Sequence, residues 1–259
     1  PGIYRVFDYA GRLTDNGLEI GAIPAPGVRV QTSVANQVNL VNTTGLTLNF
    51  WDGEAGPKDD GTVNGGDGFW QGTAGNSNWT EASGQVNAPF ASGSFAIFTA
   101  TPGTVTVDES HGPVVASGMQ FAVDGYEVTG APLTLAGAPE AIVRVGDGTA
   151  AGAGMTATIS AELAGAARLT KTDLGTLVLS GTNSYTGGTQ IDGGTVAVAS
   201  DASLGAAAGT LGFDGGTFRP TASFTMDRAA LLAAGGGTIA TAAGVSLSQA
   251  GEIAGAGAL

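Results

Sequence analysis

The sequence predicts an all-β chain wound into a parallel β-solenoid, a coil of short strands each stacked on its equivalent one turn away. Three observations carry this. Apolar residues alternate with polar or small ones over short windows, the period of a half-buried strand. A signature of Gly-Thr followed by apolar, any, apolar recurs at 103–107, 175–179, 194–198 and 209–213. The interval from Gly175 to Gly194, and that from 216–218 to 237–239, is in each case about 20 residues. Such a length suits three short strands and three corners. An antiparallel sandwich also wants short strands at regular spacing, but here the chemistry repeats as well as the spacing. The expected length of the coil is roughly ten or more rungs of about 20 residues.

Composition narrows the function classes. The chain has 259 residues, 42% apolar, with 45 Gly and no Cys. Its longest apolar runs, at 164–167 and 229–234, are far shorter than the roughly 20 residues a membrane-spanning helix needs. Carboxylates outnumber Lys and Arg by 22 to 9, a formal charge of −13, which argues against a nucleic-acid partner because phosphate neutralisation needs a basic stripe. Without Cys there is no disulfide, thiolate metal site or thiol nucleophile. No cofactor motif occurs, and no cofactor is expected. The N-terminus, Pro1-Gly2-Ile3-Tyr4-Arg5, lacks Met, a basic region and an apolar segment, and reads as a cut inside a longer protein.

Taken in order, strands are expected at 28–31, 46–50, 105–107, 133–135, 177–179 and 196–198. A Gly- and Asp-rich insertion near 52–80 interrupts the pattern, and its Gly-rich run at 54–68, between Trp51 and Trp70, is expected to be a mobile loop. Trp51, Trp70 and Trp79 are the only tryptophans, and all three flank or fall within this insertion. Exposed together they would be candidate binding residues for sugar stacking or protein docking; buried, the favoured reading, they would pad an expanded rung. Asp52, Glu54, Asp59, Asp60, Asn64 and Asp67 are oxygen donors, but their spacing matches no EF-hand or Gly-Asp nonapeptide, so a solvated loop is favoured over calcium and no metal ligand is assigned. The adjacent carboxylates Asp59 and Asp60 keep a carbohydrate-active β-helix enzyme, lyase or glycosidase, as the alternative. His111 is the only histidine. It lies in a turn at 108–113 with no nucleophile elbow in the chain, so it is expected to be an exposed turn residue and no catalytic residue is assigned. Residues 227–234 carry helix-capping signals, yet their strand-like flanks favour strand and corner. Finally, 163–169 and 253–259 match in Ala, Gly and apolar positions at an offset of 90, which predicts equivalent corners and a chain that stops mid-repeat.

The most informative stretch is Leu169-Thr-Lys-Thr-Asp-Leu-Gly-Thr-Leu-Val-Leu-Ser-Gly-Thr-Asn-Ser-Tyr-Thr-Gly-Gly-Thr-Gln-Ile-Asp-Gly-Gly-Thr-Val-Ala-Val198. It resembles the passenger-associated β-strand repeat of bacterial autotransporters, with Lys171, Gly175, Leu177, Leu179, Gly181, Asn183, Tyr185, Gly188, Thr189 and Gly194 in register. Asp173-Leu174 departs from the usual Gly with a polar residue, and Val196 replaces Leu. The resemblance implies that 1–259 is a single fragment of a right-handed parallel β-helix, with the insertion near 52–80 and the repeat at 169–198. It also implies export across an outer membrane through the protein's own C-terminal translocator barrel, which lies outside this chain, and a place on the bacterial cell surface or in the medium. The function implied is that of a non-enzymatic adhesin or adhesin stalk, with host-cell or extracellular-matrix components as partners. Read physically, the motif is scaffold: Gly-Thr makes a corner before a β-branched strand start, Leu177 and Leu179 point inward, and Asn183 and Tyr185 cap the turn.

Overall fold

The computed structural model describes residues 1–14, 16–18, 20–21, 27–43 and 45–259. The chain opens with an antiparallel sheet of β1 (Gly2–Asp8), β2 (Val28–Gln31) and β3 (Gln37–Asn42), in the order β1-β3-β2. The strand expected at 28–31 is present, but it lies outside the coil. β4 (Leu48–Trp51) and β5 (Gly68–Gln71) then begin the solenoid. The short strands β6 (Trp79–Thr80) and β7 (Asn87–Ala88) fold back antiparallel along the free edge of β4.

Seven turns follow, all paired in parallel. The first three have three strands each: β8 (Phe95–Phe98), β9 (Thr104–Asp108) and β10 (Val114–Ala116); β11 (Gly118–Phe121), β12 (Tyr126–Gly130) and β13 (Leu133–Leu135); β14 (Glu140–Val145), β15 (Thr156–Ile159) and β16 (Leu163–Gly165). The fourth and fifth have two: β17 (Arg168–Thr172) and β18 (Thr176–Leu179), then β19 (Thr189–Ile191) and β20 (Thr195–Val198). The last two regain the third: β21 (Leu211–Phe213), β22 (Thr217–Pro220) and β23 (Phe224–Met226); β24 (Ala230–Leu232), β25 (Thr238–Ile239) and β26 (Leu247–Gln249), after which β27 (Ile253–Gly255) starts another turn. Among the described residues the first face therefore stacks nine parallel strands from β4 to β27, the second eight, and the third two separate pieces, β10-β13-β16 and β23-β26.

Seven turns is fewer than the sequence periodicity predicts, because turn length varies. Leu177 stacks on Val196 at the short interval of the repeat, whereas Val105 stacks on Val128, and Val128 on Ile159, across longer stretches of chain. Variable turns also explain why the echo at an offset of 90 misleads. Residues 163–165 form β16 on the third face, while 253–255 form β27 on the first, so the two are not equivalent corners. The segment at 227–234 is strand and corner as expected. Ala230 and Leu232 are buried and Leu231 between them is 44% exposed, the alternation of a strand.

Stacking sorts the side chains into columns. Ala157, Leu177, Val196 and Phe218 run up the inside of the second face, beside Val128, Ile159, Leu179 and Val198. All eight are 0–1% exposed, and full burial of each Val, Leu, Ile or Phe among them contributes roughly 1.5–3 kcal/mol. The Thr of the Gly-Thr signature points outward: Thr176, Thr195, Thr217 and Thr238 form one column, which Thr156 extends by a turn. At 209–213 the signature instead opens β21 on the first face. The preceding Gly is required by the corner. Gly194 has φ +61°, and a Cβ there would lie 2.3 Å from the carbonyl oxygen of Gly175 in the turn below.

The antiparallel sheet packs on the outside of the first face. Ile3, Val34 and Val41 cluster with Leu48, Phe50, Phe95, Ile97 and Ala122. The opening strands of that face are thus covered on both sides, which accounts for the unbroken apolar run of β8. At the other end β25, β26 and β27 have no strand on their outer edges among the described residues. Amides of 244–255 are expected to exchange with deuterium faster than those of β18 and β20, which have neighbours on both sides. Mass-spectrometric exchange on the purified chain checks this, and equal protection would contradict it.

Candidate functional site

Trp51, Trp70 and Trp79 are brought together, but inside the protein. Each is 0% exposed. Trp79 sits edge-on to Trp51 at 5.0 Å between ring centroids, and lies 4.9 Å from Trp70 and 4.7 Å from Phe90. Phe98, one turn above, packs on all three and stacks on Phe121 of the following turn at 4.9 Å. The binding platform considered for Trp51, Trp70 and Trp79 is therefore corrected to a plug. Among the described residues no earlier turn lies beneath β4 and β5, so their inward side chains, joined by Trp79 from the hairpin, close the open end of the coil.

The insertion is likewise held rather than loose. Asp52 is buried and accepts from the Asn64 amide at 2.7 Å and the Asn87 side chain at 2.8 Å. The Lys58 ammonium donates to the carbonyls of Asp52 and Gly53, and burial pushes its pKa down against the pull of nearby carboxylates. Asp67 accepts from the Thr104 amide at 2.7 Å, Glu54 from Phe69 at 3.1 Å and Asp60 from Thr62 at 2.8 Å. Asp59 and Asn87 each bond the other's backbone amide. The candidate donors are thus directed at separate backbone groups, and among the described residues no three acidic or histidine side chains converge on one point. The expectation of a mobile loop fails because its glycines serve close approach: a Cβ on Gly65 would meet the carbonyl of Thr101 at 2.4 Å.

His111 is exposed, in a single 3-10 turn (Glu109–His111). Ser110 Oγ lies 3.0 Å from His111 Nδ1 and donates to Asp108 at 2.9 Å. The carboxylate thus holds the serine, not the imidazole, the reverse of the order that activates a hydroxyl. Hydrogen bonds from Gln71 and Ser110 keep the Asp108 carboxyl below its ordinary range. A polar groove of about 300 Å³ between β2 and the turn at 81–85 contains Arg29, Gln31, Ser33, Glu81, Ser83 and Gln85. Burial raises the pKa of Glu81, but its bonds from Ser83 and Gln85 outweigh this and leave it below the ordinary value, poorly suited to acid catalysis.

The repeat residues occupy the middle turns. Leu177 and Leu179 point inward at 0% exposure, as expected. Gly181 and Gly188 are also tight corners, where a Cβ would meet carbonyls of Ala161 at 2.8 Å and Thr210 at 2.7 Å. Gly175 is closed off in the same way by Val145 and Met155. Asn183 bonds the neighbouring turns rather than capping its own: its Oδ1 accepts from Leu163 N at 2.8 Å in the turn below, and its Nδ2 donates to Ser203 O at 2.6 Å in the turn above. Tyr185 does not lie over the turn but is fully buried, with its hydroxyl 2.7 Å from Thr189 Oγ1, which itself donates to Leu204 O at 3.2 Å. It fills the interior where the fourth turn lacks a third strand. Lys171 is fully buried, with its ammonium on backbone carbonyls.

Three clasps escaped the sequence reading. Arg228 is buried, pairs with Asp201 through Nε to Oδ1 at 2.7 Å and Nη2 to Oδ2 at 3.0 Å, and also donates to the carbonyls of Leu204, Gly205 and Gly209. It ties down the strandless third side at 201–209. Gln120, on the outward side of β11, bonds both the amide (2.7 Å) and the carbonyl (2.9 Å) of Ile3, docking β1. Arg144 lies over the Tyr4 ring at 3.9 Å and pairs with Asp173 at 2.8 Å. A charged residue inside the apolar run 141–145 was the visible signal for the last; Arg228 and Asp201, separated by more than a full turn of chain, left none.

Trp79→Ala is expected to lower stability by roughly 3–5 kcal/mol, the range for a large aromatic removed from a core, read as an earlier denaturation midpoint. Arg228→Ala, which strands Asp201 and several carbonyls, should cost about 3–5 kcal/mol by the same measurement.

The passenger-associated-transport-repeat family matches residues 169–198. The chain is 54% identical over 255 residues to the Adhesin BmaC autotransporter of Brucella suis biovar 1 (strain 1330), a match covering 98% of this chain and 7% of that protein's length. No solved structure matches it. Parallel turns with the repeat at their centre, and identity sustained along nearly the whole chain, lead to one conclusion: the chain belongs to the autotransporter family, as a β-solenoid segment of a passenger.

Proposed function

We propose that this segment acts at the bacterial cell surface, or after release from it, as part of an adhesin, and that its own contribution is that of a stalk or binding module without enzymatic activity. The observation that carries the reading is the 54% identity to a protein named as an adhesin, running through 98% of the chain. The side chains support it. Carboxylates that a lyase or glycosidase would need are bonded to backbone amides, and Trp51, Trp70 and Trp79 are interior. A binding function therefore falls to the outer faces and corners of the turns, with host-cell or extracellular-matrix components as the partners. The rest of the passenger and a translocator barrel complete the working protein.

Removing this segment from the surface-displayed passenger should reduce bacterial adherence to cultured host cells severalfold. Restoration by an unrelated solenoid of equal turn number would assign it to spacing, and failure to restore would assign it to binding. Unchanged adherence after removal would overturn the proposal. The purified chain is also expected to release no product from polyuronates or casein above a buffer blank, and turnover abolished by Asp59→Ala would contradict the non-enzymatic reading.

A further inference from the structure

Lys171 stands in an inward column that is otherwise apolar around it. Its stacked neighbours are Val143 on β14 and Ile191 on β19, and the residue is 0% exposed. The aliphatic stem packs as those side chains do, and the nitrogen reaches the corner. There it donates to Thr172 O at 2.8 Å, Asp173 O at 3.0 Å and Gly193 O at 3.3 Å. Gly193 belongs to the corner of the following turn, so one amine joins the corners of the fourth and fifth turns.

The charges around it are already committed. Asp173, on its own corner, accepts from Arg144 Nε at 2.8 Å and from the Gly148 amide at 3.2 Å. Arg144 on β14 adds a like charge. Asp192, beside Gly193, is exposed and bonded by Gln190, and Asp147 faces Arg5. Across the interior β18 and β20 carry no titratable side chain. A proton on Lys171 therefore places a charge among backbone dipoles and a carboxylate whose partner is another residue. A neutral amine still has two N–H donors, so losing the proton gives up one hydrogen bond, the longest, and removes the buried charge.

We propose that Lys171 is a proton-sensing joint between the fourth and fifth turns, which favour its neutral amine and are weakened when it takes up a proton. Burial pushes its pKa down to about 7, with Asp173 opposing the shift and Arg144 adding to it. The ordinary value, 10.5, applies to the unfolded chain. Between about 7 and 10.5 the unfolded chain binds a proton that the folded chain lacks, so stability rises with pH across that window and is insensitive to this group below it. Within the window each pH unit raises the folding constant by up to about tenfold.

Two measurements on the 259-residue chain test this. In the first, the Nζ of 15N-lysine-labelled protein is titrated by NMR; Lys171 should change protonation near neutral pH, while Lys58→Arg identifies the second resonance. In the second, denaturation midpoints of wild type and Lys171→Met are compared from about pH 6 to 9.5. The wild type should gain stability relative to the variant as pH rises, and hydrogen exchange should place the gain in residues 169–198. An Nζ that stays protonated beyond about pH 9.5, or two parallel stability profiles, would overturn the proposal, since either means that the three carbonyls hold the ammonium charged. If Lys171→Met does not fold, the NMR titration of the wild type decides alone.

Discussion

On the first and second faces every strand in the interior of the coil is stacked on a strand of the turn below and the turn above, at the roughly 4.8 Å spacing of paired strands. This constraint governs the rest. Side chains cannot be chosen singly, since each must fit two neighbours in its column. The apolar columns inside the second face, the Thr column outside it and the glycines at the corners are three outcomes of one rule. Where backbone passes over backbone, as Gly194 does over Gly175, no Cβ can be accommodated. Where a strand is missing, a side chain substitutes, as Tyr185 does in the fourth turn and Arg228 with Asp201 after the fifth.

Stacking also creates ends and an outer surface, and each needs its own solution. The interior at β4 and β5 is closed by tryptophans and phenylalanines in edge-on contact, an arrangement that buries much apolar area in few residues. The edge of β4 is blocked by an antiparallel hairpin, which leaves only the two-residue strand β7 at that margin. The outer side of the first face is covered by the antiparallel sheet, docked by Gln120, Arg144 and Asp147 on the main chain and side chains of β1. Through Asp173, Arg144 connects that docking to the corner that holds Lys171, so the sheet and the repeat share one set of charges.

These arrangements explain why residues that look chemical in isolation turn out to be architectural. Carboxylates in the insertion are directed at amides that the irregular backbone would otherwise leave unpaired. The asparagine of the repeat bonds three turns together, and its tyrosine is core. An autotransporter passenger built this way presents corners and outer faces to its surroundings, while its aromatic residues serve the interior. Variable turn length, short between Leu177 and Val196 and much longer between Val128 and Ile159, lets corners grow without disturbing the stacked strands.

By itself the sequence determined the class of fold, the strands carrying the Gly-Thr signature and the inward positions of Leu177 and Leu179. Those follow from period-two alternation and local corner chemistry, which a few consecutive residues contain. Its strong resemblance over 169–198 also identified the family. What only the tertiary structure decided is which residues meet across tens of positions. The number of turns depended on loop lengths that periodicity does not reveal. The face assigned to 253–255 depended on counting those turns. The burial of Trp51, Trp70 and Trp79 depended on a hairpin folding back over β4, and the role of Arg228 on Asp201 lying one turn below it. Alternation says that a side chain points to one side of a strand; whether that side is covered is decided by packing against distant chain, and local sequence does not encode it.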